Sequence, residues 1–315
     1  MPKNSDKKEL NLMEACKQGL RKRIITIFVR EGLDTLNETN DFGDTPLYVA
    51  SQYGHTEIVS ELLERGALVN KTNNDGMTPL HIASQNNHQE VVLELINSKS
   101  EINRGDNDGD TPLFMAAING NYKICEILIN QKAQKAQINK INEDGRTPLL
   151  GACIENKCKV VRVLINSKAD IEKCDNRGQT PLTAAVKNGS LEIVRVLITA
   201  NVKVNVDYNG DTPLHLAALY GHDVICKLLI KAKANVNIKN RFGETPLRIA
   251  FKLKHYTIGN MIYTEMLWCR RRSLVLIKAI KSKKKQDQPT LLGILLSDKN
   301  DRDFQYLVKY IGSYL

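Results

Sequence analysis

The stretch NGDTPLHLAALYGHDVICKLLIKAKANVN, residues 209–237, contains in order every element of the unit from which this chain is built. It begins with a turn that contains Gly, continues into an apolar segment rich in Ala, breaks at a second Gly, and ends in a longer apolar run. The apolar residues of that run recur at the spacing of one face of a helix. The stretch therefore predicts a turn followed by two short helices.

The same unit recurs along most of the chain. Its Thr-Pro-Leu triplet occurs seven times, with spacings of 33, 33, 36, 33, 32 and 33 residues. A fixed period of this length indicates a repeat architecture, in which each unit has apolar surface on two sides and is stable only when stacked on its neighbours. The triplets begin at Thr45, Thr78, Thr111, Thr147, Thr180, Thr212 and Thr245.

The first complete copy shows why these residue types stand in this order. The Thr45 hydroxyl suits a helix N-cap, and Pro46 suits the first helical position, where its missing N–H is harmless. The second helix has apolar residues at positions 58, 59, 62 and 63, which form one stripe. The Gly of each turn supplies the positive φ that a tight, finger-like turn requires.

DGDTPLFMAAINGN, residues 108–121, and the stretch 209–237 closely resemble the ankyrin repeat. The resemblance covers residues 8–265 as eight repeats, of which the first lacks Thr-Pro-Leu and the eighth degenerates after TPLRIA, as capping repeats do. It implies an all-α, L-shaped solenoid with projecting β-turn fingers and a concave face that binds other proteins. We expect residues 1–7 to be a disordered N-terminus and residues 266–315 to be a basic helical tail or cap.

Two departures from the family pattern carry information. Ankyrin repeats usually have Gly after the second helix, as at Gly66, but the next five repeats have Lys or Asn there. If those residues are left-handed, each Lys costs roughly 1–2 kcal/mol relative to Gly. The positions are Lys99, Lys132, Lys168, Asn201 and Lys233. The second departure, three extra residues near 131–137, predicts a longer loop after the second helix of the fourth repeat.

Finger tips and the free ends of the first helices are the expected partner-binding positions in this architecture. The first four fingers contain seven acidic residues and one basic residue, which predicts an acidic groove for a basic segment of a partner, with four aromatic residues as anchors. The alternative is that Asp and Asn serve turn geometry alone. The candidate residues are Asp41, Phe42, Asp44, Tyr53, Asp75, Met77, Asp108, Asp110, Asp144, Arg146, Arg177, Tyr208, Tyr220 and Arg241.

Catalytic, metal and cofactor motifs are not expected in this sequence. It contains no phosphate-binding Gly-x-x-x-x-Gly-Lys loop, no nucleophile elbow and no HExxH motif, which favours a protein that is not an enzyme and has no cofactor. The resemblance implies that His81 and His215 bond to the backbone of the adjoining turn, and His55 and His222 are also expected to be structural. A metal site is disfavoured because Cys153, Cys158 and Cys174 lie at repeat positions that suit small buried residues.

The positive charge of the chain is local. The formal net charge is +10, and the segment 268–285 carries eight Lys and Arg and no acid, so the remaining chain is close to neutral. No apolar run is long enough to span a membrane, and MPKNSDKKELN has no secretory apolar segment. Seven cysteines without framework spacing favour reduced thiols. We expect a cytoplasmic protein with no membrane partner.

Residues 264–285 predict an amphipathic helix, for which four interpretations stay open. The helix could cover the apolar end of the eighth repeat, with Trp268 packed against it. The run KSKKK, residues 281–285, could be a nuclear import signal. Nucleic-acid binding is disfavoured, because aromatic residues are sparse and the concave face is acidic. Finally, the last thirty residues of the tail, 286–315, could form an F-box-like or SOCS-like module, which would make the chain a substrate-recruiting adaptor that contacts ubiquitin-ligase subunits.

Overall fold

The computed structural model describes residues 11–131 and 136–267. Within these residues the regular secondary structure is helical, apart from one isolated β-bridge between Tyr208 and Asp211. The predicted all-α fold is therefore confirmed. The chain divides into two compact units, Met1–Asn176 and Arg177–Leu315, and each is described by itself.

The first unit contains five pairs of helices among its described residues. We call the first helix of each pair the inner helix and the second the outer helix, and a short 3₁₀ helix, Asp34–Asn37, follows the first pair. The pairs are α1 (Leu12–Lys17) and α2 (Arg21–Glu31), α3 (Pro46–Gln52) and α4 (Thr56–Glu64), α5 (Pro79–Gln85) and α6 (Gln89–Asn97), α7 (Pro112–Asn119) and α8 (Tyr122–Ile129), and α9 (Pro148–Ile154) and α10 (Cys158–Asn166).

The second unit contains three further pairs. Its last outer helix runs over residues 256–267, up to the end of the described residues. The other helices are α11 (Pro181–Lys187), α12 (Leu191–Thr199), α13 (Pro213–Tyr220), α14 (Asp223–Lys231) and α15 (Pro246–Lys252).

Each Thr-Pro-Leu triplet starts an inner helix in the way the sequence predicts. Thr45 is extended, with φ −85° and ψ 162°, and its Oγ1 atom accepts a hydrogen bond of 3.1 Å from the Tyr48 N–H. Pro46 is the first helical residue. The same Thr–Pro start recurs in α5, α7, α9, α11, α13 and α15, so seven triplets specify seven helix beginnings.

Stacking of the pairs builds the core of the first unit. Each inner helix from α1 to α7 packs against the next inner helix, and the outer helices from α4 to α10 pack in the same way. Ala50 and Ala83 have no exposed surface, which lets neighbouring inner helices approach closely. The stripe of α4 is buried at Ile58, Val59 and Leu62. Burying each such side chain contributes about 1.5–3 kcal/mol, which a single pair could not obtain alone.

The second unit follows the same plan. α11 packs against α13, α13 packs against α15, and α12 packs against α14. The helix over residues 256–267 buries Ile258, Ile262 and Met266, which lie at helical spacing on one face. The predicted tail begins within this helix, but Trp268 and the basic run lie outside the described residues.

The ends of the outer helices confirm the predicted left-handed positions. Gly66 has φ 93°, and Lys99, Lys168 and Lys233 have φ values of 66°, 69° and 65°. Asn201 is also left-handed, with φ 63°. Lys132 and most of the three-residue insertion lie outside the described residues.

The histidines after the triplets bond as the family resemblance implies. His81 Nε2 lies 3.0 Å from the main-chain oxygen of Asp110, and His215 Nε2 lies 3.0 Å from that of Glu244. His55 Nε2 lies 3.1 Å from the Lys17 oxygen. These side chains therefore tie one repeat to an adjacent repeat.

One prediction about the cysteines is wrong. Cys153 is buried and Cys158 is half-buried, but Cys174 is exposed. Cys174 lies on the approach to a finger rather than in an inner helix, and the buried residue there is its neighbour Asp175.

Candidate partner-binding surface

Each finger of the first unit is held by the side chain at its base. The Oδ1 atom of Asn40 accepts hydrogen bonds from the Phe42 N–H at 3.0 Å and the Asp44 N–H at 2.9 Å. Asn73 and Asp106 hold the next two fingers with the same pair of bonds. The turns therefore close on themselves and leave the tip residues facing solvent.

Main-chain hydrogen bonds join the tips into a ladder. The N–H of Asn74 donates to the Phe42 oxygen at 3.0 Å, and the N–H of Asn107 donates to the Asp75 oxygen at 3.0 Å. Glu143 continues the ladder by donating to the Asp108 oxygen at 2.9 Å. The predicted acids of these fingers are consequently held in a row along one edge of the unit.

The predicted acids fall into two groups in the structure. Asp41, Asp75 and Asp108 are exposed at the tips, and none of their carboxylates closes the finger turn. Asp44 is half-buried and accepts from the Asn73 side chain at 3.1 Å. Asp44 is thus held by the neighbouring finger, whereas the carboxylates of the three tip acids are accessible to a partner.

Asp110 belongs to the half-buried group. Its Oδ1 atom accepts from the Asn142 side-chain amide at 2.8 Å. Burial, with the charges of Asp106, Asp108 and Asp144, raises the pKa of Asp110 to about 6. Burial also raises the pKa of Asp106, and the charges of Asp108 and Asp75 add to the effect. Burial is therefore the main cause of the raised pKa of both Asp110 and Asp106, and the neighbouring carboxylates add to it.

Asp144 and Arg146 form an ion pair within one finger. Arg146 Nη1 lies 3.2 Å from the Asp144 carboxylate, while the Arg146 Nε atom is buried without a hydrogen-bond partner among the described residues.

Met77, in an earlier finger, is half-buried, and its sulfur atom accepts a hydrogen bond of 3.8 Å from the Tyr48 hydroxyl. Met77 is therefore packed on α3 rather than held at a tip.

The two predicted aromatic anchors of the first unit are exposed. Phe42 is 73% exposed at its finger tip, and Tyr53 is 43% exposed at the C-cap of α3. The Tyr53 ring stacks on His55 with the ring centres 6.3 Å apart. These side chains present apolar surface to solvent at one end of the acidic row.

The other four predicted site residues lie in the second unit. Tyr220 is 44% exposed and stacks on His222, and Tyr208 is half-buried in the bridge with Asp211. Arg177 and Arg241 are exposed. Ten of the fourteen candidates therefore belong to the first unit, and four belong to the second.

A pocket of about 350 Å³ opens between α7, α9 and the two fingers that precede them. Its floor is apolar and its rim carries five carboxylates and one guanidinium. The floor comprises Phe114, Ile118, Gly151 and Ile154, and the rim comprises Asp108, Asp110, Asn142, Glu143, Asp144, Arg146 and Glu155.

Gly151 makes this floor different from the matching surface of the other repeats. A Cβ atom there would lie 2.8 Å from Ile118 Cγ2 and 3.1 Å from Phe114 Cε2, so those side chains occupy its place. The matching positions of the three preceding repeats hold Val49, Ile82 and Met115. Ile118 and Ile154 lie at the free ends of first helices, where the sequence analysis expects partner contacts. Sequence reasoning missed Phe114 and Gly151, although a Gly in TPLLGAC against Val, Ile and Met in the three preceding repeats was the available signal.

Metal-binding clusters and membrane-spanning helices are both absent from the described parts of the chain. In residues 11–131 and 136–267, His, Cys, Asp and Glu side chains do not form a group of three that could hold a metal ion. Over the same residues, every helix is too short or too polar to cross a membrane.

The fold defines a protein built from stacked helix-pair repeats, and the comparisons give its family. The family model of ankyrin repeats (3 copies) matches residues 12–106, 95–175, 157–240 and 205–266. The chain therefore belongs to the ankyrin repeat family, whose members are typically non-catalytic and are generally protein–protein interaction modules. A comparison with curated proteins finds no match.

Proposed function

We propose that this chain is a non-catalytic scaffold whose first unit binds a basic segment of a partner protein along the row of finger tips. The observation that carries the proposal is the row of exposed tip acids on fingers joined by the main-chain ladder, because such a row forms a surface that is complementary to cationic side chains. Phe42 and Tyr53 supply exposed aromatic surface of the type that dominates interface energy.

Electrostatic attraction of this kind predicts strong dependence on salt. The tip acids are exposed, so their interaction with a basic peptide is screened over about 8–10 Å at physiological salt. Binding should therefore be rapid and should weaken as salt increases. This behaviour separates the proposed mode from binding through Phe42 and Tyr53 alone.

The test is fluorescence anisotropy with the full chain and two labelled peptides, one with alternating Arg and Ser and one with Glu in place of Arg. The Arg peptide should bind, and Asp41→Lys/Asp75→Lys should weaken it by about tenfold, since both acids lie at the tips. The matched control is Glu64→Lys/Glu126→Lys, which makes the same charge change at exposed positions on the outer helices α4 and α8.

Two results would remove the proposal. The first is failure of the Arg peptide to bind in low salt. The second is equal weakening by the tip variant and the outer-helix control, because that would mean only net charge matters.

The ligase-adaptor interpretation of residues 266–315 stays a prediction, since nearly all of that segment lies outside the described residues. Affinity capture with the full chain and with a chain that ends at Ser282 tests it: loss of ligase subunits on truncation is the expected result for an adaptor.

A further inference from the structure

We propose that the pocket between α7 and α9 is a specificity subsite that takes one arginine side chain of the partner's basic segment. This inference rests on the proposed function and adds to it, because the row of tip acids attracts any cation whereas the pocket distinguishes among them.

The volume of the pocket suits one long side chain. Small-molecule and cofactor sites begin at about 300 Å³ and are mostly larger, so a cavity of about 350 Å³ is near the lower limit. Residues of two fingers line the pocket, and the main chain of the same fingers forms the tip ladder that would hold a partner segment. An occupant that reaches in from an extended segment fits these two facts better than a free ligand does.

The floor suits the aliphatic stem of that side chain. Phe114 and Ile118 lie against the bare Cα of Gly151, and Ile154 is half-buried beside them. Long cationic side chains place their methylene groups along apolar surface and keep the charged head in a polar setting. Where Val49, Ile82 or Met115 stands at the matching position, a larger side chain projects from the inner helix.

The rim suits a guanidinium better than an ammonium. The carboxylates come from three separate elements: Asp108 and Asp110 from one finger, Glu143 and Asp144 from the next, and Glu155 from the end of α9. The planar guanidinium has five N–H donors in a fixed fork and can bond to carboxylates on more than one side, whereas an ammonium acts as a point charge. Arg146 neutralises one of the five carboxylates through Asp144, so the rim keeps a negative excess.

The experiment compares peptides of equal net charge on the full chain. One peptide has a single Arg between two Lys residues in a Ser background, and the other has Lys in place of that Arg. The wild-type chain should prefer the Arg peptide by at least about fivefold, because only the guanidinium spans the rim.

The decisive variant is Glu143→Gln/Glu155→Gln. Both side chains are exposed, and Glu143 joins the ladder through its main chain, so the fold is unaffected. The variant should bind the Arg peptide and the Lys peptide about equally well. The matched control, Asp41→Asn/Asp75→Asn, removes the same charge at tips outside the pocket and should weaken both peptides while leaving the preference intact.

Gly151→Ala is a second, independent variant. The added Cβ would lie 2.8 Å from Ile118 Cγ2 and 3.1 Å from Phe114 Cε2, so both side chains must shift and the pocket floor should change shape. Urea unfolding of the variant checks that the repeat stays folded. The change should lower the preference for Arg and leave the sensitivity to Asp41→Asn/Asp75→Asn unchanged. In methyl-resolved NMR, Ile118 and Ile154 should shift with the Arg peptide and not with the Lys peptide, while buried Ile58 stays unchanged.

The outcomes separate the two proposals. If neither peptide binds, the proposed function is wrong and this inference fails with it. If both bind equally well to the wild-type chain, or if the preference survives Glu143→Gln/Glu155→Gln, the subsite is overturned and the basic-segment scaffold stands.

Discussion

His81 and Asp110, 29 residues apart, are joined by a 3.0 Å hydrogen bond between the imidazole Nε2 atom and the main-chain oxygen. The Thr78 N–H points at the other ring nitrogen, Nδ1, at 3.1 Å. Because an N–H only donates and a carbonyl only accepts, Nδ1 must be unprotonated and Nε2 must carry the proton. The two neighbours therefore fix one neutral tautomer in a fully buried ring, and the ring couples an inner helix to the next finger.

The first prediction concerns acid stability. Burial lowers the pKa of His81 to about 4 from an ordinary value of 6.5. The unfolded chain therefore binds the proton more readily than the folded chain does. The stability from His81 is present above pH 6.5 and is lost as pH falls to about 4. The loss in the free energy of unfolding is on the order of 3 kcal/mol.

His81→Thr isolates this contribution. Thr183 occupies the matching position of a later repeat, and its Oγ1 atom accepts from the Thr180 N–H, so Thr is compatible with the helix start. At pH 7 the variant should lose about 1–3 kcal/mol, since the Asp110 oxygen loses its donor. In urea unfolding the deficit should shrink between pH 6.5 and pH 4. A deficit that is constant over that interval would contradict the assignment.

The second prediction concerns the approach of neighbouring fingers. Gly76 has φ 77°, and a Cβ atom there would lie 2.8 Å from the main-chain nitrogen of Asn107. Gly76→Ala should therefore lose more than the conformational penalty of about 1–2 kcal/mol. Gly66→Ala is the control, because Gly66 has φ 93° and no atom within 4 Å of such a Cβ. Hydrogen exchange of the Asn107 amide should accelerate only in Gly76→Ala, and equal losses of stability would argue against the contact.

The third prediction concerns the left-handed lysines. Lys99 and Lys168 are exposed, so glycine there relieves backbone strain and removes no packing. Each change to Gly should raise stability by about 0.5–1 kcal/mol, after allowance for the more flexible unfolded chain and the lost helix-dipole interaction. Lys123→Gly, within α8, should instead lower stability by about 0.5–1 kcal/mol. The midpoint of urea unfolding should rise in Lys99→Gly and Lys168→Gly and fall in Lys123→Gly. A lower midpoint for Lys168→Gly would show that the strain is absent.

The sequence was sufficient wherever the structure depends on neighbours in the chain. The cap at Thr45, the Pro at the first helical position and the positive φ of Lys99 and Lys168 each follow from residues within one repeat. The period then extends these local features along the chain. The all-α fold was predictable for that reason.

The site was only partly predictable, because its properties arise between repeats. Asp41 and Asp110 are both finger acids in the sequence, yet one carboxylate faces solvent and the other accepts a bond from Asn142. The pocket floor depends on the contact of Phe114 with Gly151 in the next repeat. In the sequence, a Gly within an inner helix resembles the small residues around it, and only the packing shows what fills the space beside it.

The last prediction is that the Asp110 carboxylate lowers the stability of the chain at pH 7 and strengthens its binding of the peptide. Its folded pKa of about 6 lies above the ordinary value of 3.8, so the folded chain binds the proton more tightly than the unfolded chain does. Stability from this group is therefore present below pH 3.8 and is lost as pH rises through 6. The carboxylate is half-exposed, so the destabilisation at pH 7 is about 1 kcal/mol after discounting for solvent screening.

Asp110→Asn should remove that penalty. The amide oxygen can still accept from Asn142 Nδ2, so the finger bond is kept while the charge beside Asp106, Asp108 and Asp144 is lost. Urea unfolding should show a variant that is more stable than wild type by about 1 kcal/mol at pH 7 and equal to it near pH 3.8. The same variant should bind the single-Arg peptide more weakly at pH 7, because one rim carboxylate is gone. A variant that is less stable than wild type at pH 7 would contradict the stability prediction, and unchanged binding of the peptide would contradict the role of Asp110 in the rim.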